Sequence, residues 1–244
     1  MSLFFKTLFQ FFLPPQCYGC EAFLEEGQEA FCPDCLSAIR WIEPPFCTRC
    51  GMPFVSRNEK SHLCGLCMDQ KRYFTTGRAL GYYEGPLREA IHRWKYEGKI
   101  YLSPLFGEWM KRTLSQNWET DLFDLLVPVP LHPQRLRERG FNQALLLVRE
   151  LSRRAGIAYR KQILEKRRQT VPQINLSGVE REKGVKGAFH LTDPEGVKGK
   201  VILLVDDVFT TGATVNECAK VLIAGGAQRV DVLTLAHAIK TSIQ

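Results

Sequence analysis

The chain has 244 residues and a formal net charge of +7. That length suits one large domain or a small one joined to a mid-sized one, and 45% hydrophobic residues supply a proper core, with no repeats and no low-complexity tract. The basic excess favours anionic partners such as nucleic acid, phosphate esters or an acidic membrane surface, without choosing among them.

The opening run MSLFFKTLFQFFLPP predicts a short apolar helix over 1–13 that Pro14 stops. Its single Lys6 lies inside the apolar run, no small-x-small cleavage site follows, and it is far short of the ~20 residues of a membrane span. Packing on the protein's own core and docking on a membrane or partner both stay open. With no signal peptide, the expected location is the cytoplasm. There thiols stay reduced, so paired cysteines suggest metal rather than disulfides.

Residues 14–72 are rich in Cys, Pro and Gly and lack sustained periodicity, as a small metal-stapled module does. Four Cys-x-x-Cys pairs lie here: Cys17/Cys20, Cys32/Cys35, Cys47/Cys50 and Cys64/Cys67. Each pair can form a knuckle, and two knuckles complete a tetrahedral Zn2+ site. Spacing does not decide the pairing: consecutive pairing is the expectation, while a cross-braced arrangement fits nearly as well. Four thiolates leave no open position for water, so the zinc, one ion or two, is structural or serves docking. His62 reads as a bystander. Cys218, alone in a helical pattern, reads as a small buried hydrophobe.

From residue 73 to 244, α/β signals take over. ALGYYEG (79–85) reads as a strand, and Pro86 opens a helix through Tyr96. Residues 104–115 read as a second helix and LLVPVP (125–130) as a short strand. A helix follows from Asn142 to Ala155, with Gly156 ending it. ILEK (163–166) reads as a strand and 167–187 as a basic loop or loose helix. VILLV (201–205) lacks polar alternation, as a strand buried on both faces does. A helix over Thr214–Ala224 and a last strand over 229–238 complete the chain. Strands alternating with helices predict a doubly wound, mainly parallel α/β sheet.

The stretch VILLVDDVFTTGAT (201–214) concentrates the chemistry. Thr210-Thr211-Gly212-Ala213-Thr214 joins a strand to a helix, where free N–H groups and the positive dipole end make an anion site. No lysine follows the glycine and no G-x-G-x-x-G is present, so neither common nucleotide loop applies. Carboxylates repel phosphate, so Asp206 and Asp207 should instead accept hydrogen bonds from sugar hydroxyls or stand near a Mg2+ bound to the sugar. A ligand with a phosphate at one end and a diol in its middle satisfies both halves.

This stretch resembles the PRPP-binding signature of type I phosphoribosyltransferases. The resemblance implies that fold. It also implies that Asp206 and Asp207 serve the ribose and the catalytic centre, that Asp206, Asp207, Val208, Phe209, Thr210, Thr211, Gly212, Ala213 and Thr214 bind PRPP, and that Mg2+ travels with the pyrophosphate. Phe209 stands where an aliphatic residue is more usual. VPVPLHPQRLRERGFNQA (127–144), RRQTVPQINLSGVEREKGVKGAF (167–189) and the cysteine-rich N-terminus together resemble the ComF family of competence-related proteins (ComFC and GntX types) over essentially the whole chain. Gly184 departs from the Asn frequent in that family, and four complete Cys pairs exceed what every member has.

The resemblance turns the segment after VPVP toward pyrophosphate, with Arg135, Arg137 and Arg139 as candidate contacts. At spacing i, i+2, i+4 they do not all face one ligand from a helix. Gly140 supplies a turn before the helix that Asn142 caps, and His132 either lines the pocket or is structural. The basic loop over 166–186 falls where this fold carries a loop over the active site. Family membership further implies single-stranded DNA, a competence helicase and a membrane channel as partners in DNA uptake. Arg135–Arg168 is dense in cations but thin in aromatics, with only Phe141 and Tyr159 as stacking candidates. Three activities stay open: a PRPP-binding protein serving DNA uptake, a working phosphoribosyltransferase, and a PRPP-sensing regulator.

Overall fold

The computed structural model describes residues 15–56, 60–168 and 184–239. The expected helix over 1–13 and residues 169–183 of the basic loop lie outside them. Four strands, β1 (Gly77–Tyr82), β2 (Leu125–Pro128), β5 (Val201–Phe209) and β6 (Arg229–His237), form one all-parallel sheet in the order β1-β6-β5-β2. β3 (Leu164–Lys166) and β4 (Phe189–Leu191) pair as a separate antiparallel hairpin.

Strand alternation sorts the core into two layers. Leu80, Leu126, Leu203, Val205, Leu233 and Leu235 face one side. There they meet α3 (Gly85–Tyr96), α4 (Ser103–Asn117) and α6 (Gln143–Ala155) through residues such as Trp94, Phe106 and Leu147. Leu125, Val127, Ile202, Leu204, Val230 and Val232 face the other side, covered by α7 (Ala213–Ala224) and the β3–β4 hairpin. The sheet is doubly wound, and both faces are buried, which explains why VILLV shows no polar alternation. Cys218 is fully buried on α7, as a small apolar residue would be.

The cysteine-rich segment, with its one-turn helices α1 (Pro33–Ser37) and α2 (Gly65–Asp69), straddles this sandwich. Cys17 and Cys35 join the core layer of α3, while Cys47, Cys50 and Cys67 join that of α7. Backbone ties weld it to the sheet edge: Ile42 N–H donates to Leu80 O at 2.9 Å and Tyr82 N–H to Arg40 O at 2.9 Å. The Arg78 guanidinium lies 4.5 Å from the centre of the Phe46 ring.

Local chemistry sets the helix ends. The Asn142 side chain accepts from Leu145 N–H at 3.4 Å, and Gly156 closes α6 at φ 72°. A further short helix, α5 (Pro133–Arg139), buries none of its residues, so no apolar periodicity announced it. β1 begins two residues earlier than expected and stops before Glu84, because Glu84 starts α3. β5 runs four residues past Val205, carrying both acids inside the strand.

α4 and α6 touch closely at Gly107, where an added Cβ would lie 2.4 Å from the Glu150 Cβ. Gly107→Ala should therefore lower stability by about 1–3 kcal/mol through overpacking, despite the better helix propensity of alanine. The melting temperature reads this directly. An unchanged or higher value would show that the two helices separate freely.

Candidate functional site

β2 and β5 are neighbours, but the helices after them cover opposite faces: α6 follows β2 on one side and α7 follows β5 on the other. Such a reversal opens a crevice beyond the carboxyl ends of the two strands, where open α/β sheets bind ligands. β2 pairs with β5 only as far as Pro128 and Val205, so Asp206 is the first residue of β5 past that ladder. The acid pair thus stands at the mouth of the crevice.

Alternation sends the two carboxylates to opposite faces, and each meets a different lysine. Asp207 follows the phase of Leu203 and Val205 toward α3, where Lys95 Nζ lies 2.8 Å from its Oδ1. The side chains are 12% and 17% exposed, so this pair is shielded well beyond a surface ion pair. Burial works against the lysine charge. The Asp207 carboxylate outweighs it by Coulomb attraction and a hydrogen bond, and the Lys95 pKa ends above its ordinary value.

Asp206 faces the other layer, and its Oδ1 accepts from Asp207 N–H at 2.9 Å. Burial, then the Asp207 charge, pushes its pKa up to about 7, against the pull of Lys95 and Lys166. Lys166, at the end of β3, is itself held below its usual value by burial, with Asp206 opposing. One acid is thus locked as an ion pair, while the other is poised to change charge near neutral pH.

The loop that follows turns sharply into α7. Gly212 adopts φ 76° and caps α7, and an added Cβ there would lie 2.4 Å from the Phe209 ring. Phe209 is 5% exposed and packs beneath the loop against His237, at 4.7 Å between ring centres, and Phe74, at 6.1 Å. It supports the loop from inside. Thr211 Oγ1 accepts from Ala213 N–H at 3.4 Å. The hydroxyls of Thr210 and Thr214, both half-buried, have no hydrogen-bond partner among the described residues. His237 is buried and held neutral, its pKa lowered to about 4 by desolvation.

α5 borders the same crevice. His132 is structural: its Nδ1 accepts from Gln134 N–H at 3.3 Å, capping the helix, which Gly140 ends at φ 82°. Asn142 Nδ2 donates to Val129 O at 3.1 Å and fixes the turn between β2 and α6. Arg135 and Arg139 share one face of α5, and Arg137 is exposed. Arg135 pairs with Glu138 at 3.2 Å and lies near enough to Lys166 to oppose its charge. The Arg139 guanidinium sits 4.8 Å from the centre of the Tyr96 ring, next to Lys95 in the chain. Sequence reasoning missed Lys95 and Tyr96, whose importance comes from where α3 ends.

The cysteines form two groups of four, Cys17, Cys20, Cys32 and Cys35, and Cys47, Cys50, Cys64 and Cys67. Pairing is therefore consecutive. Within each group every sulfur lies within 4.8 Å of the others, with Cys20 and Cys32 3.8 Å apart and Cys50 and Cys64 3.6 Å apart. A tetrahedral Zn2+ with bonds of ~2.3 Å sets its ligands about 3.8 Å apart, so both groups fit the ion. Backbone N–H groups support the thiolates: Cys17 Sγ accepts from Cys32 N–H at 3.3 Å and Cys47 Sγ from Cys64 N–H at 3.3 Å. His62 bonds to Lys60 O and stacks on Phe54, outside both groups.

Comparison with known proteins agrees with this architecture. A phosphoribosyl transferase domain model matches residues 142–242 and a double zinc ribbon domain model matches residues 8–68. The chain is thus a phosphoribosyltransferase-fold protein with an N-terminal zinc-ribbon module. It is 30% identical to Competence protein F of Haemophilus influenzae over 91% of this chain and 97% of the relative. It is 32% identical to the DNA utilization protein YhgH of Escherichia coli K12 over 93% and 99%. Competence protein ComFC of Streptococcus pneumoniae is 29% identical over 88% of this chain and 90% of its own. The chain belongs to the ComF family of competence proteins.

Proposed function

We propose that the chain binds PRPP, accompanied by Mg2+, in the crevice between β2 and β5, and that this binding serves the uptake and handling of DNA. The observation that carries the reading is the juxtaposition of an acid pair with a glycine-turned loop whose Thr210 and Thr214 hydroxyls lack partners among the described residues. Thr210–Thr214 would hold the 5-phosphate, and Asp206 and Asp207 would accept from the ribose hydroxyls. Val208 and Phe209 place those groups. Arg135 and Arg139, on the inward face of α5, would meet the pyrophosphate, and Arg137 would not. Mg2+ would neutralise pyrophosphate charge when bound.

In this reading residues 14–72 form the zinc module, one ion per cysteine group, and 73–244 form the PRPP domain. Among the described residues no helix is long and apolar enough to cross a membrane. We place the protein in the cytoplasm at the inner face of the membrane. There it would work with single-stranded DNA, a helicase and a membrane channel, as suggested by relatives named for competence and DNA utilization.

Calorimetric titration with PRPP and Mg2+ tests the site. Asp206→Asn/Asp207→Asn keeps shape and removes both charges, and should weaken binding at least tenfold. Absence of binding by the native chain would sink the reading. Release of pyrophosphate in the presence of a panel of nucleobases and amines then distinguishes transfer from holding.

A further inference from the structure

A second concave site lies outside the crevice. The linker after the second cysteine group (70–73), the return of the basic loop (185–186) and the flank of α7 enclose a cavity of ≈ 290 Å³. Lys71, Arg72, Lys186 and Lys220 line it, against one carboxylate, Glu217. Glu217 is already engaged: it accepts from Gly187 N–H at 2.8 Å and lies 3.9 Å from Lys220 Nζ.

The walls are fixed from inside. Asn216 accepts from Tyr73 N–H at 2.7 Å and donates to Lys71 O at 3.2 Å, clamping the linker onto α7. The Tyr73 ring stands between two ammonium groups, 5.1 Å from Lys71 Nζ and 6.0 Å from Lys220 Nζ. Arg72 supplies the sharpest signal. Its Nε is buried, and the residue has neither hydrogen bond nor ion pair among the described residues. A buried donor on a charged group is costly when unmet, and no acceptor among the described residues meets this one. Four cations around so small a space also repel one another.

We propose that this cavity is a second binding site, for phosphoryl groups, separate from the phosphate loop of the crevice. A phosphoryl oxyanion supplies the acceptor that Arg72 lacks and relieves the repulsion, and guanidinium geometry suits two of its oxygens at once. The cavity touches α7 at Ala213 but runs along the helix flank through Asn216, Glu217 and Lys220, away from its N-terminal end. A free polyphosphate and the backbone of a nucleic-acid strand present the same chemistry.

The test uses the full chain and two probes, inorganic tripolyphosphate by calorimetry and a short oligothymidylate by fluorescence anisotropy. Arg72→Gln/Lys220→Gln should weaken at least one probe about tenfold while changing PRPP affinity less than twofold. Loss for the oligonucleotide, with a log–log salt slope shallower by about 1.4 for two cations removed, assigns the site to a strand. Loss for tripolyphosphate alone assigns it to a free polyphosphate. Lys71→Gln/Lys186→Gln, at two exposed side chains, repeats the measurement should the first variant fold poorly. The proposal is overturned if the native chain binds neither probe, if the variants bind both as the native chain does, or if PRPP affinity falls in parallel.

Discussion

Lys95→Met should weaken PRPP binding at least tenfold and lower the stability of the unliganded chain by about 2–4 kcal/mol. Removing one member of a shielded ion pair leaves the other charge unpaired, which costs more than the pair itself contributes. Here the survivor is Asp207, adjacent to Asp206, whose pKa already stands at about 7. Without the ammonium, Asp206 loses one of the charges that hold its pKa down and is driven further toward protonation, which makes it a poorer acceptor for ribose hydroxyls. Lys95→Arg keeps the charge and should restore part of the affinity. Native-like PRPP binding by Lys95→Met would show that the pair is only structural.

The same site predicts a pH dependence. Asp206 has a folded pKa of about 7, above the ~3.9 of an unfolded aspartate. Between those values the folded chain holds the proton more tightly. Its contribution is therefore most favourable below about pH 4, declines as pH rises toward 7, and is level beyond. Asp206→Asn should flatten this slope in denaturant titrations at pH 5 and 8. For Lys95 the sign is the usual one for a raised lysine: its stabilisation is complete below about pH 10.4 and is lost as pH rises through its higher folded value.

The second large effect belongs to the cysteines. Structural zinc contributes about 10–16 kcal/mol of apparent binding free energy, comparable to the whole stability of a domain. Native protein should carry two zinc ions per chain by native mass spectrometry. Cys50→Ser should carry one and lose its cooperative thermal transition, because Cys47, Cys50 and Cys67 pack in the same core layer as α7 and Phe209. Cys20→Ser should also lose one ion yet keep a transition at lower temperature, since Cys20 is exposed. Two ions in both variants, or none in reduced native protein, would contradict the assignment.

The legible parts of the molecule were those whose cause is local. Asn142 and Gly156 announce the ends of α6 through their own side chain and backbone preferences, and VILLV announces a buried strand by composition. The acid pair and the threonine loop were legible because a single turn of chain holds the whole arrangement. α5 escaped as an element because it buries nothing and so has no periodicity to read. β4, only three residues long with one buried, carries no apolar run to mark it. Lys95 escaped for another reason: it follows the buried Trp94 on an amphipathic helix, where any lysine looks like solvent-facing surface. Only the docking of α3 beside the end of β5 turns it inward.

The strand order carries a consequence for synthesis. β6 is the last described strand to leave the ribosome, yet it lies between β1 and β5 and is the strand that joins β1 to the sheet. Until it emerges, one edge of β1 is held by Arg40–Ile42 while the edge that β6 will pair stays open, and some 150 residues of intervening chain must wait beside it. The two cysteine groups precede all of this and can take up metal while the sheet is still open. Metal uptake can thus come early in the life of the nascent chain, and closure of the crevice between β2 and β5 comes late.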